Sequence, residues 1–136
     1  AKDLEVLTRP AKLEIMRGYI FRQNNPAVFG CHVMGGKVKN NDPLMKKDGK
    51  EIGSISAMQK DSENVKQAGK NAQVAVSMKG VTVGRQVNEG DILYTSIPEE
   101  HFRKLKELKK YLSEDEVEVI KEIMKIKREK SPVWGV

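Results

Sequence analysis

The sequence is poor in cysteine, histidine and aromatic residues. One cysteine, Cys31, and two histidines occur among 136 residues, and aromatic side chains make up 5%. A single cysteine excludes an internal disulfide, and so few candidate ligands offer no zinc-binding spacing. No apolar run approaches the ~20 residues that span a bilayer, and no signal-peptide core opens the chain. We therefore expect a cytoplasmic protein without a metal, a disulfide or a membrane partner.

Motifs for catalysis and nucleotide binding are also missing. The sequence contains no G-x-S-x-G, H-E-x-x-H or C-x-x-C motif. The stretch FGCHVMGGKV (29–38) comes close to a phosphate loop, which follows the pattern G-x-x-x-x-G-K-[ST]. In one register Gly36 replaces the lysine, and in the other Cys31 and Val38 replace the first glycine and the hydroxyl residue. We predict that the chain is not an enzyme and binds no nucleotide or other cofactor by itself.

Basic residues outnumber acidic ones, and the excess lies in the first part of the chain. Up to Ile97 there are 15 Lys/Arg against 10 Asp/Glu, and from Pro98 onward there are 10 against 9. The first part is therefore biased toward a polyanionic partner such as RNA, whereas the charges of the last 39 residues nearly cancel.

Short runs of alternating apolar residues dominate the first 97 residues. Turn residues such as NNP (24–26), NNDP (40–43) and KKDGK (46–50) separate these runs, and the Gly35-Gly36 pair is expected to turn the chain. Six or so short strands with glycine-rich turns predict a mainly β fold, a small closed antiparallel barrel over residues ~11–97. The clearest five of the predicted strands are EIMRGYIF (14–21), VFGCHVM (28–34), IGSISAM (52–58), AQVAVSM (72–78) and ILYTSI (92–97).

The apolar period changes at Pro98, where we predict two amphipathic helices over 98–130. Ser96 is a candidate N-cap for the first helix, whose apolar stripe runs from Phe102 to Leu112. SEDE (113–116) has the form of a capping box and predicts the start of the second. The predicted division is therefore a barrel with an N-terminal lead-in over 1–97 and a helical hairpin and tail over 98–136.

Three stretches carry a family resemblance. AGKNAQVAVSMKG (68–80) and VNEGDILYT (87–95) resemble the second-domain barrel of translational GTPases. With CHVMGGKVKNNDPLM (31–45) before them and two amphipathic helices after them, the whole chain resembles the C-terminal domain of archaeal translation initiation factor five-B. It is more distantly similar to the last domain of bacterial initiation factor two.

The resemblance implies a function in translation initiation. The parent factor would be a ribosome-dependent GTPase through another domain, and this domain would bind the methionylated acceptor end of initiator tRNA and support subunit joining. Bacterial relatives hold formyl-methionine with two cysteines and a basic cluster. Comparison with them implies that the aminoacyl-end neighbourhood contains Cys31, Met58, Gln59, Lys60 and Ala72. Equally, Met58 and Ala72 are interpretable as core residues and Lys60 as a solvated turn residue.

The resemblance also implies a protein partner, initiation factor one-A, whose tail is acidic with apolar anchors in the eukaryotic branch. We expect it to dock in a groove where the helices meet the barrel, lined by Phe102, Leu105 or Ile123, with Lys106 or Lys109 at its rim. Two alternative functions are compatible with the same fold but do not involve recognition of initiator tRNA. One is an interaction module that docks another factor or ribosomal protein through its helices, and the other is an RNA-binding protein of the ribosome itself.

Overall fold

Eight β-strands lie between Ala11 and Thr95 in the computed structural model, which describes residues 2–136. The strands are β1 (Ala11–Arg22), β2 (Ala27–Lys39), β3 (Pro43–Lys46), β4 (Glu51–Lys60), β5 (Glu63–Asn64), β6 (Gln67–Gly69), β7 (Gln73–Met78) and β8 (Ile92–Thr95).

Six of these strands close into a ring by antiparallel pairing. The hydrogen-bonded order is β1-β8-β3-β4-β7-β2, and β2 pairs again with β1. The two shortest strands lie outside the ring, since β5 pairs with β4 and β6 pairs with β2. Closure removes the exposed sheet edges that would otherwise invite aggregation. The predicted small closed antiparallel barrel is therefore confirmed.

Alternation along the central strands places one face of each strand inside the barrel. On β2, Phe29, Cys31 and Val33 are fully buried, and on β7 Val74 and Val76 point into the same core. Cys31 pairs with Val74, and Phe29 pairs with Val76. The residues between them, such as Gly30 and Ala75, therefore belong to the outer face of the barrel.

The Gly35-Gly36 pair does not turn the chain, contrary to the expectation from sequence. Both glycines lie inside β2, where Gly36 is opposite Ala11, and the pairing with β1 shifts register only after Gly35, at Met34. Gly36 has φ of +81°, and a Cβ there would lie 1.9 Å from the carbonyl oxygen of Pro10. The glycine therefore permits a close crossing of two backbones, which is a different use of its small size from a turn.

The helices are α1 (Lys2–Glu5), α2 (Glu99–Glu107) and α3 (Glu114–Lys130), and a single 3-10 turn (Lys109–Tyr111) joins α2 to α3. The predicted capping box is confirmed, because Glu116 N–H donates to the Ser113 side chain and the Glu116 carboxylate accepts from Ser113 N–H. The predicted Ser96 cap is wrong. Ser96 N–H bonds Pro43 and its hydroxyl donates to Glu51, so the residue is held by the barrel.

A second apolar cluster joins the helices to the barrel. Met45 and Tyr94 from the strands and Ile97 pack with Leu105 and Ile123 of the helices, and Leu4 and Leu7 belong to the same cluster. The helical part therefore shares a core with the strands. Across residues 2–136, no helix combines the length and apolar character that crossing a bilayer requires.

Candidate functional site

Two of the predicted aminoacyl-end residues lie in the barrel core. Cys31 and Met58 are 0% and 1% exposed, and both contact the interior cluster that contains Val74 and Val76. Burial raises the pKa of the Cys31 thiol to about 12, which makes it an unreactive apolar side chain. These two residues support the wall of the barrel from inside, and neither side chain is available to a ligand at the surface.

The other three predicted residues lie nearer to solvent. Gln59 and Lys60 are exposed at the end of β4, and Gln59 donates a long 3.3 Å hydrogen bond to Asn64. Ala72 is half-buried just before β7, and its carbonyl accepts from Val33 N–H. Ala72 packs against the interior cluster that contains Cys31, while Gln59 and Lys60 belong to the outer surface.

A cleft of about 470 Å³ lies on the outer face of the barrel beside Gln59. We call it the aromatic cleft, and its principal lining residues are Tyr19, Phe21, Gly30, Gln59, Gln73 and Ala75. Tyr19 and Phe21 are 49% and 62% exposed, with ring centroids 6.3 Å apart in an edge-to-face arrangement. Large exposed aromatic side chains in one concave surface are typical of a binding site.

The irregular course of β1 places Tyr19 in the cleft. Ile15 pairs with Cys31 and Ile20 pairs with Phe29, so five steps along β1 correspond to only two along β2. The extra residues leave the ladder at Gly18, which has φ of +83°. Tyr19 then packs on Gly30, where a Cβ would lie 2.9 Å from the Cβ of Tyr19. Two small residues, Gly30 and Ala75, therefore leave the hollow that the aromatic rings border.

Exposed cationic residues adjoin residues of the aromatic cleft in the sequence, although none of them lines it. Arg17 and Arg22 are exposed on β1, on either side of the two aromatic residues, and Lys60 follows Gln59 on β4. Asp61 lines the cleft as well, so the surface is not uniformly positive. An apolar hollow bordered by exposed aromatic rings suits a ligand that carries flat, unpaired bases, and the neighbouring Lys60 suits a phosphate.

A second, smaller cavity of about 150 Å³ opens between α2 and α3. We call it the helical groove, and Phe102, Leu105, Lys106, Lys109, Leu112, Val117, Ile120, Lys121 and Met124 line it. The predicted docking residues Phe102, Leu105, Lys106 and Lys109 thus come together here. Ile123 is not among the lining residues, and it is fully buried in the second apolar cluster, to which Phe102 and Leu105 also belong.

Sequence reasoning missed Tyr19 and Phe21. The run EIMRGYIF has the pattern of an ordinary strand, and the low aromatic content gives no reason to expect two exposed rings together. The available signal was local: a glycine inside the run, followed by aromatics at alternate positions with an arginine on each side.

The chain is similar to known translation factors. The family described as elongation factor Tu domain 4 matches residues 9–94. A probable translation initiation factor IF-2 of Methanopyrus kandleri is 46% identical over 136 residues, covering 99% of this chain and 23% of that protein. A probable IF-2 of Staphylothermus marinus is 48% identical over 138 residues, with coverage of 99% and 23%.

The structural comparison agrees with the sequence comparison. The crystal structure of GDP-bound aIF5B from Aeropyrum pernix superposes with a TM-score of 0.94 at 40% identity, covering 98% of this chain and 23% of that one. The chain therefore spans less than a quarter of the length of the relatives it matches.

Proposed function

The chain belongs to the elongation factor Tu domain 4 family and corresponds to the C-terminal domain of the archaeal initiation factors IF-2 and aIF5B, and from that premise we propose that it binds the methionylated acceptor end of initiator tRNA. Binding there would serve subunit joining on the ribosome. The GTPase activity of such a factor belongs to another domain. The observation that carries the proposal is the exposed Tyr19–Phe21 pair in the aromatic cleft.

The aromatic pair supplies what a single-stranded RNA end requires. Unpaired bases stack on exposed aromatic rings, and each stacked base contributes about 1–3 kcal/mol without demanding a particular sequence. Tyr19 and Phe21 are 49% and 62% exposed, so their rings are accessible to a base. Lys60 is exposed and directly follows Gln59, which lines the cleft, so it is the cation best placed to neutralise a phosphate of an acceptor end that enters there.

The hollow between the rings and Gln59 suits the methionyl group. Gly30 and Ala75 form its floor, and Met16 and Val28 add apolar surface at its side. A methionine side chain in such a site contributes about 1–3 kcal/mol, because hydrophobic pockets discriminate weakly. We therefore propose that charged initiator tRNA binds tens-fold more tightly than uncharged tRNA. Cys31 and Met58 would act only from beneath, by holding β2 and β4 in place.

A short mimic of the acceptor end tests this assignment. The single-stranded oligonucleotide ACCA, with and without a 3′-methionyl group, is titrated into the isotopically labelled protein and followed by NMR. We expect the amides of Gly30, Gln59, Gln73 and Ala75 to shift with the methionylated form, and those of α2 to stay in place. Shifts confined to the helical groove, or identical shifts with both oligonucleotides, would contradict the proposal.

The helical groove favours a second function, the docking of an acidic peptide with apolar anchors. A cavity of about 150 Å³ accommodates one or two aliphatic side chains, and Lys109 and Lys121 at its rim complement acidic neighbours. A tail of the type expected for initiation factor one-A has this chemistry. Both functions are compatible, because the aromatic cleft and the helical groove share no lining residue.

A further inference from the structure

The hairpin between β3 and β4 lies against the C-terminal end of α3. Gly49, at the tip of the hairpin, approaches Ile126 and Lys130, and a Cβ at Gly49 would lie 3.3 Å from Ile126 Cγ2 and from Lys130 Cε. Lys46 and Lys50 close the hairpin through a backbone hydrogen bond of 3.0 Å. Segments 46–50 and 125–130, far apart in the sequence, therefore form one surface, which we call the basic patch.

The basic patch contains most of the net charge of the protein. Residues 46–50 contribute three lysines and one aspartate, and residues 125–130 contribute four cations and one glutamate, a net charge of +5 out of +6 for the chain. Residues 98–124, by contrast, contain six cations and eight carboxylates. The nearly neutral helical part thus consists of a net negative segment, 98–124, and a net positive segment, 125–130. The positive segment lies beside the basic hairpin.

Several cations in the basic patch have no partner in the described structure. Lys127 bonds Ser96 and Glu51, and Arg128 Nε bonds the carbonyl of Trp134. Within residues 2–136, the ammonium groups of Lys46, Lys47, Lys50 and Lys130 form no ion pair or hydrogen bond. The pKa of the Asp48 carboxyl is lowered, first by the hydrogen bond from the Lys50 backbone N–H and then by the charges of Lys46, Lys50 and Lys130.

Stabilisation of the helix end accounts for only part of this charge. The C-terminus of a helix carries a partial charge of roughly −0.5, which one or two basic residues in the last turn compensate. Segment 125–130 supplies four cations, and the hairpin adds three that belong to no helix. The surplus suits an external polyanion.

The surface of the patch favours phosphates over an apolar peptide. A depression on the hairpin side of the patch is lined by Lys46, Lys47, Asp48, Asp91 and Ile92, so it offers two cations, two carboxylates and only one apolar side chain to anchor a peptide. The nearby Trp134 is no platform for unpaired bases, since its ring packs on Phe102 at 4.7 Å between centroids. Lys127 lies over the Trp134 ring at 5.9 Å, but among the described residues the hairpin lysines Lys46, Lys47 and Lys50 lie over no aromatic ring. Lysines of this kind recognise the backbone of a duplex, whose bases are stacked inside.

We propose that the basic patch binds the phosphate backbone of double-stranded RNA, as a second RNA contact separate from the aromatic cleft. Strand β4 runs from the patch at Glu51 to the cleft at Gln59 and Lys60. Ten strand residues span up to about 30 Å, so the two contacts face different segments of RNA. This inference does not depend on recognition of the acceptor end.

The test uses a fluorescent, blunt-ended RNA duplex of about 16 base pairs, which offers phosphates but no single-stranded end. Its affinity is measured between about 50 and 200 mM salt for the unaltered chain and for Lys46→Gln/Lys47→Gln/Lys50→Gln. We expect the triple variant to bind on the order of tenfold more weakly, and the slope of log K against log salt to become shallower by about 2–3. All three side chains project from a surface hairpin, and thermal unfolding verifies that the variant is folded.

A matched triple variant, Lys66→Gln/Lys70→Gln/Lys104→Gln, removes the same charge from exposed positions elsewhere. An equal loss of duplex binding in both variants would overturn the proposal, because net charge alone would then explain it. So would a polyglutamate peptide that binds the patch more tightly than the duplex at equal salt. Tyr19→Ser/Phe21→Ser should leave duplex binding unchanged, so failure of this inference and failure of the acceptor-end proposal remain distinguishable.

Discussion

Arg9 and Glu116 form a two-pronged ion pair between the segment that precedes β1 and the first turn of α3. Arg9 Nε lies 2.7 Å from Glu116 Oε2, and Arg9 Nη2 lies 2.8 Å from Oε1. The side chains are 12% and 6% exposed, and Glu116 also accepts from Ser113 N–H. One carboxylate therefore caps α3 and fixes that helix to the barrel, which sets the position of the helical groove.

Arg9→Met should lower the free energy of unfolding by about 3–5 kcal/mol. The variant leaves the Glu116 carboxylate buried without its counter-charge, and that is the costly way to break such a pair. Urea denaturation measures the loss. Arg103→Met is the matched control, because the Arg103–Glu99 pair is exposed and should contribute less than about 1 kcal/mol. Equal losses in the two variants would contradict the role assigned to Arg9.

Asp42→Asn should stabilise the protein at pH 8 by about 2–3 kcal/mol, since one pKa unit corresponds to about 1.4 kcal/mol. Burial raises the pKa of Asp42 to about 6, although the Lys39 backbone N–H and the Lys39 charge act against that rise. The folded protein therefore holds a proton that the unfolded chain releases near pH 4, so this group makes stability fall as pH rises from about 4 to 6. Asparagine retains an oxygen that accepts from Lys39 N–H.

The pH dependence of unfolding provides the measurement for Asp42. The difference between Asp42→Asn and the unaltered chain should be present above pH 6 and should vanish below about pH 4, where the carboxyl is protonated in both states. A variant that is less stable than the unaltered chain at pH 8 would show that the ionised carboxylate is favourable in the fold.

Periodicity predicted the elements that depend on local pattern. Val74, Val76 and Met78 alternate and are buried, and the apolar stripe around Phe102 and Leu105 is helical. The 3.6-residue and two-residue periods are properties of neighbouring residues, so they are readable without tertiary information. The capping box at Ser113 is local in the same sense.

Features that depend on contacts between distant strands were not readable. Gly36 is surrounded by Pro10 and Ala11, and Tyr19 lies over Gly30, so neither role is visible from its own segment. The resemblance implied a groove where the helices meet the barrel, whereas the helical groove lies between α2 and α3, and the sequence alone does not show which neighbours Ile123 packs against. In the fold, Ile123 is fully buried in a cluster that contains residues of both α2 and the barrel.

Gly30→Ala should weaken binding of the acceptor end. The new Cβ would lie 2.9 Å from Tyr19 Cβ and 3.1 Å from Met16 Cε, so β1 must shift and carry Tyr19 away from the cleft. Overpacking of this kind costs about 1–3 kcal/mol of stability. The measurement is affinity for methionylated ACCA together with urea denaturation. Gly69→Ala is the control, since nothing lies within 4 Å of a Cβ there; equal behaviour of the two variants would exclude close packing at Gly30.

Lys109→Glu/Lys121→Glu should abolish most of the affinity of the helical groove for an acidic peptide with aliphatic anchors. Both lysines border the groove, and reversing their charge replaces attraction by repulsion at the rim. Fluorescence anisotropy with a labelled acidic peptide measures the change, which should exceed tenfold, or about 1.4 kcal/mol. Lys104→Glu/Lys110→Glu alters the same part of the chain outside the groove. If this control weakens binding as strongly, the groove is not the docking site.

The acceptor-end assignment is tested most directly by titrating methionylated and uncharged initiator tRNA against the unaltered chain and against Tyr19→Ser/Phe21→Ser at moderate salt. We predict that the unaltered chain prefers the methionylated form by tens-fold, consistent with about 1–3 kcal/mol from one hydrophobic pocket. The double variant should lose that preference and bind both forms with the same residual affinity. Equal binding of the two tRNAs by the unaltered chain, or an undiminished preference in the double variant, would contradict the account.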